Sequence, residues 1–584
     1  MKLRHLSIKN FRGIQELDWN ISGDVVCLIG PGDSTKTSIL LAVEYLFSPT
    51  WNLSLSDTDF YLKDVSQSIE ISCVISSLPE GLIGEDKFGL QLGFWNPDDK
   101  TISQKQENEK CEMALRVKLE VGRDLEPKWS VISLQNDLDI HSLSTSDRRL
   151  LGVAKIGNFV ESDLAWGRNS SLARLSVKDD LSKIPALLTE AERKVIEILK
   201  DENLGDYDET IKKVRETSQS LGIDAKQNFR VGLDPARFNL NQGAIALFDG
   251  DLPFSIRGNG SRRLLSMAIS KASISDGVVL LIDEIENSLE PFRLRHLIRQ
   301  IRPRDGDRHQ VFFTTHSSIA VEECKAHELY IVRSLNGKTT VLEVEPEFQK
   351  VVRSSSEAFL ARKIIVCEGK TEEGLLIGLD QNFWSVKHQN TPALYKFVNM
   401  AEAGSVPILG GGDESPCKAQ EFGKLGFDVL FFGDSDKVDK LKPSVDELTQ
   451  QKILVVLCKP EGDKGLFIEQ RLCLDLSIEG LEKYVGLACE LSEDPPNIWD
   501  SIYQACPHNT LRKSRDFRDL LSDIGEDSLR QVIGEISGKG PKGWFKRRDK
   551  GEKLGELLSK FLPLMDSQKP TALMLSELEK WCYE

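Results

Sequence analysis

Histidine is scarce in this chain, with 8 among 584 residues, and its 11 cysteines never stand in a C-x-x-C pair. That pattern argues against a zinc finger and a disulfide framework and fits reduced thiols. Long apolar runs are missing too. The longest stretches, such as Val278–Ile282, fall far short of the roughly 20 residues a membrane helix needs. Met1–Asn10 is polar and charged, so no secretory signal is expected, and the chain reads as cytoplasmic with no membrane partner. Internal repeats and low-complexity tracts are absent. An excess of positive charge is also lacking: 75 Lys and Arg face 91 Asp and Glu, a net charge of −16. A nucleic-acid binder is usually basic, because phosphate contacts dominate affinity. A local basic groove is still compatible with this charge. Lys542, Lys546, Arg547, Arg548, Lys550 and Lys553, interleaved with Trp544 and Phe545, are its best candidate, against the plain reading of a solvated charge run.

What is present is phosphate chemistry in two places. At 584 residues the chain exceeds one ordinary core, so two or three domains are expected. The opening residues alternate apolar and polar before a continuous apolar run, which predicts a hairpin or meander feeding a buried strand, Val25–Ile29. Gly30–Thr37 (GPGDSTKT) follows, and Ser38–Phe47 has helical periodicity. Strand, glycine-rich loop and helix in that order make a phosphate cradle, because backbone N–H groups and the helix N-terminus point at an anion. Gly30, Gly32 and Ser34 would line it, Lys36 would neutralise the β- and γ-phosphates, and the Thr37 hydroxyl would ligate Mg2+.

Val278–Ile282 predicts a buried strand that delivers Asp283 to the same metal, with Glu284 beside it to polarise the attacking water. Alone, an acid pair after a strand reads as a cap or a loop acid; paired with the loop it reads as a nucleotide site. Gly258–Leu264 (GNGSRRL) is a glycine-serine turn ahead of a helix-like stretch, a second anion site that includes Ser261. Val311–Ser317 predicts another strand, ending in His316, which suits a γ-phosphate.

Residues from about 140 to 230 are charged and helix-like and read as an insertion, an arm or a dimer surface. Between Gly277 and Val332 short apolar runs alternate with charged helices, as in a parallel α/β sheet. A boundary near Ser354–Ser356 precedes a second α/β domain with strands at Lys363–Val366, Asp428–Phe432 and Ile453–Leu457, and residues 475–535 read as mostly helical. The expected domains are therefore 1–350 and 360–584.

In the second domain Glu368-Gly369-Lys370-Thr371-Glu372 puts an acid at a strand end, with Glu372 four residues on and on the same helix side. Gly433-Asp434-Ser435-Asp436 ends another strand. Alternating aspartates there can share one or two hard cations, and two metals can clamp the attacking and leaving oxygens of a phosphodiester. Each motif alone reads equally well as a polar turn.

The order of motifs in the first half resembles the ABC ATPase core, in the branch shared with SMC-like DNA-repair proteins. The resemblance puts Gly260-Ser261 in the signature slot, Ile285–Pro291 in the D-loop and His316 at the switch histidine. Asn10–Gly13 (NFRG) matches the usual start of that branch and makes Arg12 a nucleotide contact. Gln67 is the nearest candidate for the Q-loop. The signature of one protomer completes the site of another in that family, so a homodimer or higher oligomer is implied. Two positions depart from the pattern: Asp33 and Thr35 stand where glycine is usual. A carboxylate there repels the γ-phosphate, so ATP is expected to bind and turn over slowly.

The acid pairs of the second half resemble the Toprim fold of topoisomerases, primases and certain nucleases. The resemblance makes Glu368 the general acid/base or a ligand, Asp434 and Asp436 metal ligands, and Glu372 the extra acid of the nuclease members. It also implies Glu469 as a further ligand, and Lys546 or Lys550 as the lysine that stabilises the transition state. An ABC ATPase followed by Toprim resembles the OLD (overcoming-lysogenization-defect) nucleases across nearly the whole chain. That implies ATP and Mg2+ (or Mn2+) as cofactors, DNA as substrate, and a role in antiviral defence. Some members act with a reverse transcriptase and its DNA product. Two rivals remain: a DNA-end sensor that does not cut, and a topoisomerase or primase.

Overall fold

The structure, a computed structural model, describes residues 1–106, 108–133, 139–156, 172, 187–195, 212, 214, 247–272, 279–304, 309–388, 405–409, 415–435, 446–462, 464–506, 515–538 and 543–583. It forms two compact units. One comprises Met1–Arg12, Asp18–Val26 and Thr37–Thr314; the other comprises Gly13–Leu17, Cys27–Lys36 and Thr315–Glu584.

In the first unit, strand Lys2–Phe11 buries Leu3, Leu6 and Ile8 and exposes Lys9, the alternation a half-covered sheet requires. It pairs antiparallel with Ile69–Ser76, which pairs antiparallel with Glu112–Val121. Pro127–Ile132 continues this meander. A parallel set of different character lies in the same unit. Val279–Ile282, buried along its whole length, pairs with Val153–Ile156 on one side and Gln310–Thr314 on the other. Strands buried on both faces are continuously apolar, and this one hands Asp283 and Glu284 to its carboxyl end, where open α/β sheets bind ligands. The expected helical segment from about 140 opens instead with strands Ile140–Ser142 and Val153–Ile156 flanking helix Thr145–Leu150. Sheet pairing overrides the charged composition there. Most of the remaining insertion, to about 230, lies outside the described residues.

In the second unit Cys27–Ile29 pairs in parallel with Leu329–Ile331. Strand Leu329–Leu335 then turns through Asn336-Gly337, both at positive φ, into antiparallel Lys338–Glu343. An Asn-Gly pair is the preferred chemistry for such a two-residue hairpin. The rest of the unit carries a four-stranded parallel sheet in the order Ser405–Leu409, Lys363–Cys367, Asp428–Gly433, Leu454–Leu457. Helices Lys370–Leu379, Ile468–Asp475, Ile478–Leu491, Glu526–Gly538, Arg548–Phe561 and Pro570–Tyr583 pack into one apolar core with it, around Leu375, Phe432, Leu472, Tyr484, Phe545 and Leu575.

Candidate functional sites

The phosphate loop begins at a glycine with no substitute. Gly30 has φ +139°, and a Cβ there would stand 2.5 Å from the Val332 carbonyl oxygen. Lys36 is buried, and its ammonium donates to the carbonyls of Gly30 (3.0 Å) and Pro31 (2.7 Å) and to the Ser34 hydroxyl (3.0 Å). The cation is thus held inside the loop by the same backbone that would face a phosphate. Gly32 is half-buried. Asp33 and Thr35, the two departures from glycine, have φ of +55° and +67°. The loop keeps the left-handed geometry that glycine favours, at a cost of ~1–2 kcal/mol for an L side chain and more for β-branched threonine. Replacing both by glycine is expected to relax the loop and raise ATP turnover above the wild-type value, measured as phosphate release. A wild-type rate above about 10 s⁻¹, the median for enzymes, would contradict the slow-turnover expectation.

In the first unit, Asp283 accepts hydrogen bonds from Thr37 Oγ1 (3.2 Å) and Thr314 Oγ1 (2.7 Å). The Thr314 hydroxyl in turn accepts from the Glu284 N–H at 2.8 Å, and Glu284 sits at φ +47°. The structure therefore brings Thr37, Asp283 and Glu284 together. Arg263, which sequence reasoning passed over, fastens this turn: its buried guanidinium donates to the carbonyls of Asp283 (2.8 Å) and Glu284 (2.7 Å). Burial lowers the Arg263 pKa, against the opposing pull of Glu286, Glu284 and Asp283. Its signal was a second arginine in helix Asn259–Ala272, the helix that carries Ser261 in its first turn. Gly260 has no room for a side chain, since a Cβ would lie 2.6 Å from the Ser288 carbonyl oxygen. Arg12 donates from Nε to Asp59 Oδ1 at 2.9 Å, an acid that sequence reasoning did not assign. His316, in the second unit, is exposed just past strand Gln310–Thr314.

The second site gathers acids from four separate stretches of sequence. Glu368 follows strand Lys363–Cys367, and its Oε2 accepts from the Asp434 N–H at 2.9 Å. Asp434 follows strand Asp428–Gly433, and its Oδ1 accepts from the Ile468 N–H at 2.8 Å. Glu372 is buried in the first turn of helix Lys370–Leu379. Glu469 is fully buried: its Oε1 faces Lys546 Nζ at 3.3 Å, and its Oε2 has no hydrogen-bond partner. Lys546 is thus the lysine set against the acids, while Lys550 sits in the first turn of helix Arg548–Phe561. Asp436 lies outside the described residues.

The electrostatics follow from this crowding. Burial, then the charge of Glu469, pushes Glu372 up to about 7. Burial, then Glu372, Glu469 and Glu368, holds Asp434 well above the ordinary aspartate range. Burial works against the Lys546 ammonium, but Glu469, Glu372 and Asp434 outweigh it and raise its pKa. Among the described residues one lysine faces the three buried carboxyls of Glu372, Asp434 and Glu469, with half-buried Glu368 beside them, so the cluster is short of positive charge. Among the described residues no three His, Cys, Asp or Glu are already arranged as a metal-ligand group. The carboxyls share a field without forming a finished ligand shell.

A stability prediction follows for protein in a chelator. The Glu372 pKa is raised from 4.5 in the unfolded chain to about 7 in the fold. The folded state therefore binds the extra proton, and stability falls as pH rises through that window. Glu372→Gln removes the effect. At pH 8 the variant is expected to be more stable than wild type by about 3 kcal/mol, and near pH 4 no more stable. Denaturant unfolding at the two pH values checks this; a constant difference would refute it.

The basic, aromatic-interleaved stretch divides between core and surface. Trp544 and Phe545 are buried, with Phe545 5.0 Å from the Tyr484 ring. Arg547 pairs with Asp549, Arg548 with Glu552 and Lys553 with Glu556. The two aromatics carry the chain through the core so that Lys546 reaches Glu469. Lys542 lies outside the described residues.

A model of the AAA ATPase domain matches residues 1–126 and 133–321, more than half of the chain. The chain belongs to the AAA ATPase domain family. Two SMC heads are similar solved structures. One is an SmcHead bound to the C-winged helix domain of ScpA, at 12% identity over 60% of this chain and 100% of that one, with a TM-score of 0.35. The other is the SMC head domain from Thermotoga maritima, at 14% identity over 59% and 100%, with a TM-score of 0.28. No curated protein matches. ATP binding is thus a property of the N-terminal AAA domain, and the loop, Asp283 and Glu284 lie inside the matched residues. Among the described residues no helix is long and apolar enough to cross a membrane.

One feature of the acid site left only a faint trace in the sequence. Helices Lys370–Leu379 and Arg548–Phe561 meet along glycines, Gly374 and Gly378 on one, Gly551 and Gly555 on the other. A Cβ on Gly374 would strike the Arg548 carbonyl oxygen, and one on Gly555 would lie 2.5 Å from the Leu375 carbonyl oxygen. Two G-x-x-x-G spacings are the signal, since i and i+4 share a helix face. The seam brings the Glu372 helix against the helix that follows Lys546.

Proposed function

We propose that this AAA-domain protein is an ATP-gated, metal-dependent DNA endonuclease, acting as an antiviral defence effector. Residues 1–350 would form the ATPase domain with its helical dimerisation insertion, and 360–584 a Toprim nuclease domain. The observation that carries the reading is the cluster of Glu368, Glu372, Asp434 and Glu469 around Lys546, at the carboxyl ends of parallel strands. Structural ion-pair networks balance their charges; this one leaves Glu469 Oε2 buried and unpartnered and keeps two acids toward their protonated forms.

An all-carboxylate donor set with an orphaned buried oxygen fits a hard divalent cation. Glu368, Glu372, Asp434 and Glu469, with Asp436, would hold Mg2+ or Mn2+. When bound, the ion supplies Lewis-acid stabilisation of the phosphodiester oxygens. The chain's own residues do the rest. Lys546 sets its ammonium against the charge that develops on the phosphate. Glu368 would serve as the general acid/base or as a ligand, and Glu372, which burial and Glu469 push up in the metal-free fold, would give up its proton on binding the cation. The Ile468 N–H fixes the Asp434 carboxylate.

At the ATPase end Lys36, with Gly30, Gly32 and Ser34, would cradle the phosphates, Thr37 and Asp283 would hold the nucleotide's Mg2+, and Glu284 would orient water. Arg12 would contact the nucleotide. Ser261 of one protomer would complete the site of another, and His316 would sense the γ-phosphate. A reverse transcriptase with its DNA product is the kind of partner the family resemblance suggests. A second reading is an ATP-dependent DNA-end sensor that does not cut, favoured by the lack of a finished ligand group among the described acids. Incubation of supercoiled plasmid with Mg2+ or Mn2+, with and without ATP, separates the two. Relaxed or linear product sustains the nuclease, and binding without cleavage under every condition sustains the sensor.

A further inference from the structure

Arg333 lies at the centre of two sets of contacts within the second unit, one to the phosphate loop and one to the turn ahead of Asp434. On the loop side, Gly30 packs against the Val332 carbonyl so closely that no side chain fits. The Thr35 hydroxyl lies 3.2 Å from Thr339 Oγ1, which in turn reaches Ser334 Oγ at 3.4 Å. The loop therefore touches Val332 directly and reaches Ser334 through Thr339, the residues on either side of Arg333. On the other side, the Arg333 guanidinium donates to the carbonyl of Gly426 and, at 3.0 Å, to that of Leu425, and it lies 4.7 Å from the Phe427 ring centroid. Those carbonyls end helix Ser415–Lys424, where unpaired acceptors and the negative end of the dipole favour a cation. Strand Asp428–Gly433 starts at once and ends against Asp434.

The loop has to rearrange to take a nucleotide. Lys36 spends its three donors on Gly30, Pro31 and Ser34, and a phosphate must displace some of them. That change acts at Gly30 and Thr35, the two residues that brace Val332 and Ser334.

We propose that Arg333 is a positioning residue that couples nucleotide occupancy of the phosphate loop to the placement of strand Asp428–Gly433 and thus of Asp434. The inference rests on the proposed reading of Asp434 as part of a nuclease site. Coupling needs a physical element that both sites bias, and the strand pair Leu329–Leu335 and Lys338–Glu343 is that element.

The test is hydrogen exchange on the full-length protein in Mg2+, with and without saturating ATP. In wild type, ATP is expected to change exchange in peptides covering residues 30–37 and also 425–435, the latter by about fivefold or more, the low end of ordinary couplings. In Arg333→Ala the change at 30–37 persists and the change at 425–435 disappears. Thr339→Val leaves the Arg333 contacts in place and cuts the Thr35–Thr339–Ser334 link; it is expected to shrink the change at 425–435, and it serves if Arg333→Ala fails to fold. An unchanged response in both variants, or a wild type in which only 30–37 responds, overturns the proposal. Plasmid cleavage read in parallel tests the nuclease by itself. A coupled exchange response without cutting would leave Arg333 in its role and remove the nuclease.

Discussion

Asp434→Ala is expected to reduce metal-dependent plasmid cleavage by about a thousandfold or more, the scale of losing a principal electrostatic element of a hydrolytic site. ATP binding should persist, with its affinity changed by no more than the roughly fivefold coupling argued for Arg333, since among the described residues Asp434 itself makes no contact with the phosphate loop. The physical case is the balance of charge around the residue. Asp434 is buried among Glu372, Glu469 and Glu368, which hold its pKa well above the usual range. A cation bound among these acids would offset the repulsion, which is what the proposed site supplies. Deleting it removes one mutually repelling acid, so the fold should survive in a chelator, while the rise in melting temperature on adding Mn2+ should shrink. Among the described residues the substitution gives up the hydrogen bond from the Ile468 N–H and the attraction to Lys546. Loss of folding and of ATP binding together would show that the acid is structural and would remove the nuclease reading.

Gly374→Val is expected to cost more than 4 kcal/mol, in the range reserved for severe core defects, and to abolish cleavage. At Gly374 a Cβ meets the backbone oxygen of Arg548 and lies 2.8 Å from the Glu552 nitrogen, so no rotamer change relieves it. Gly378 is as tight against the Glu552 carbonyl oxygen, and a Cβ on Gly551 would lie 2.8 Å from the Thr371 carbonyl oxygen. Helices that meet on glycine approach at backbone distance, and a single branched side chain forces them apart. The consequence reaches the site directly. Glu372 sits in the first turn of one helix, and Lys546 lies just before the other. Thermal unfolding and cleavage together check the prediction; a Gly374→Val protein with wild-type melting and activity would show that the helices do not meet along this seam.

The local rules were enough for much of the framework. Val25–Ile29 and Ile69–Ser76 form strands with the bounds their apolar patterns suggest, because a buried strand needs an unbroken run and a half-covered one needs alternation. The glycine-rich loop ahead of helix Lys36–Leu46, and the acids after Val279–Ile282, Lys363–Cys367 and Asp428–Gly433, were legible for the same reason: turn chemistry and strand ends are written within a few residues. Charge composition misled at about 140, where it suggested helix. A strand there exists only because Val279–Ile282 is beside it to pair with, and pairing is not a property of the segment alone.

Choices between chemically equal residues needed the tertiary structure. Lys546 and Lys550 are alike by spacing, and only the route of the chain through buried Trp544 and Phe545 sets the first of them against Glu469. Sequence does not reveal that the aromatics of the basic run face inward while its exposed arginines pair with neighbouring acids. Arg263 and Arg333 were unremarkable arginines until the fold laid main-chain carbonyls against them. The sequence by itself determined the glycine-rich loop, the acidic strand ends and the strands that lead to them, since those depend on periodicity and turn geometry over short stretches. Only the tertiary structure decided which cation meets which carboxyl and how closely two helices approach, since burial and charge coupling depend on distances between residues far apart in the chain.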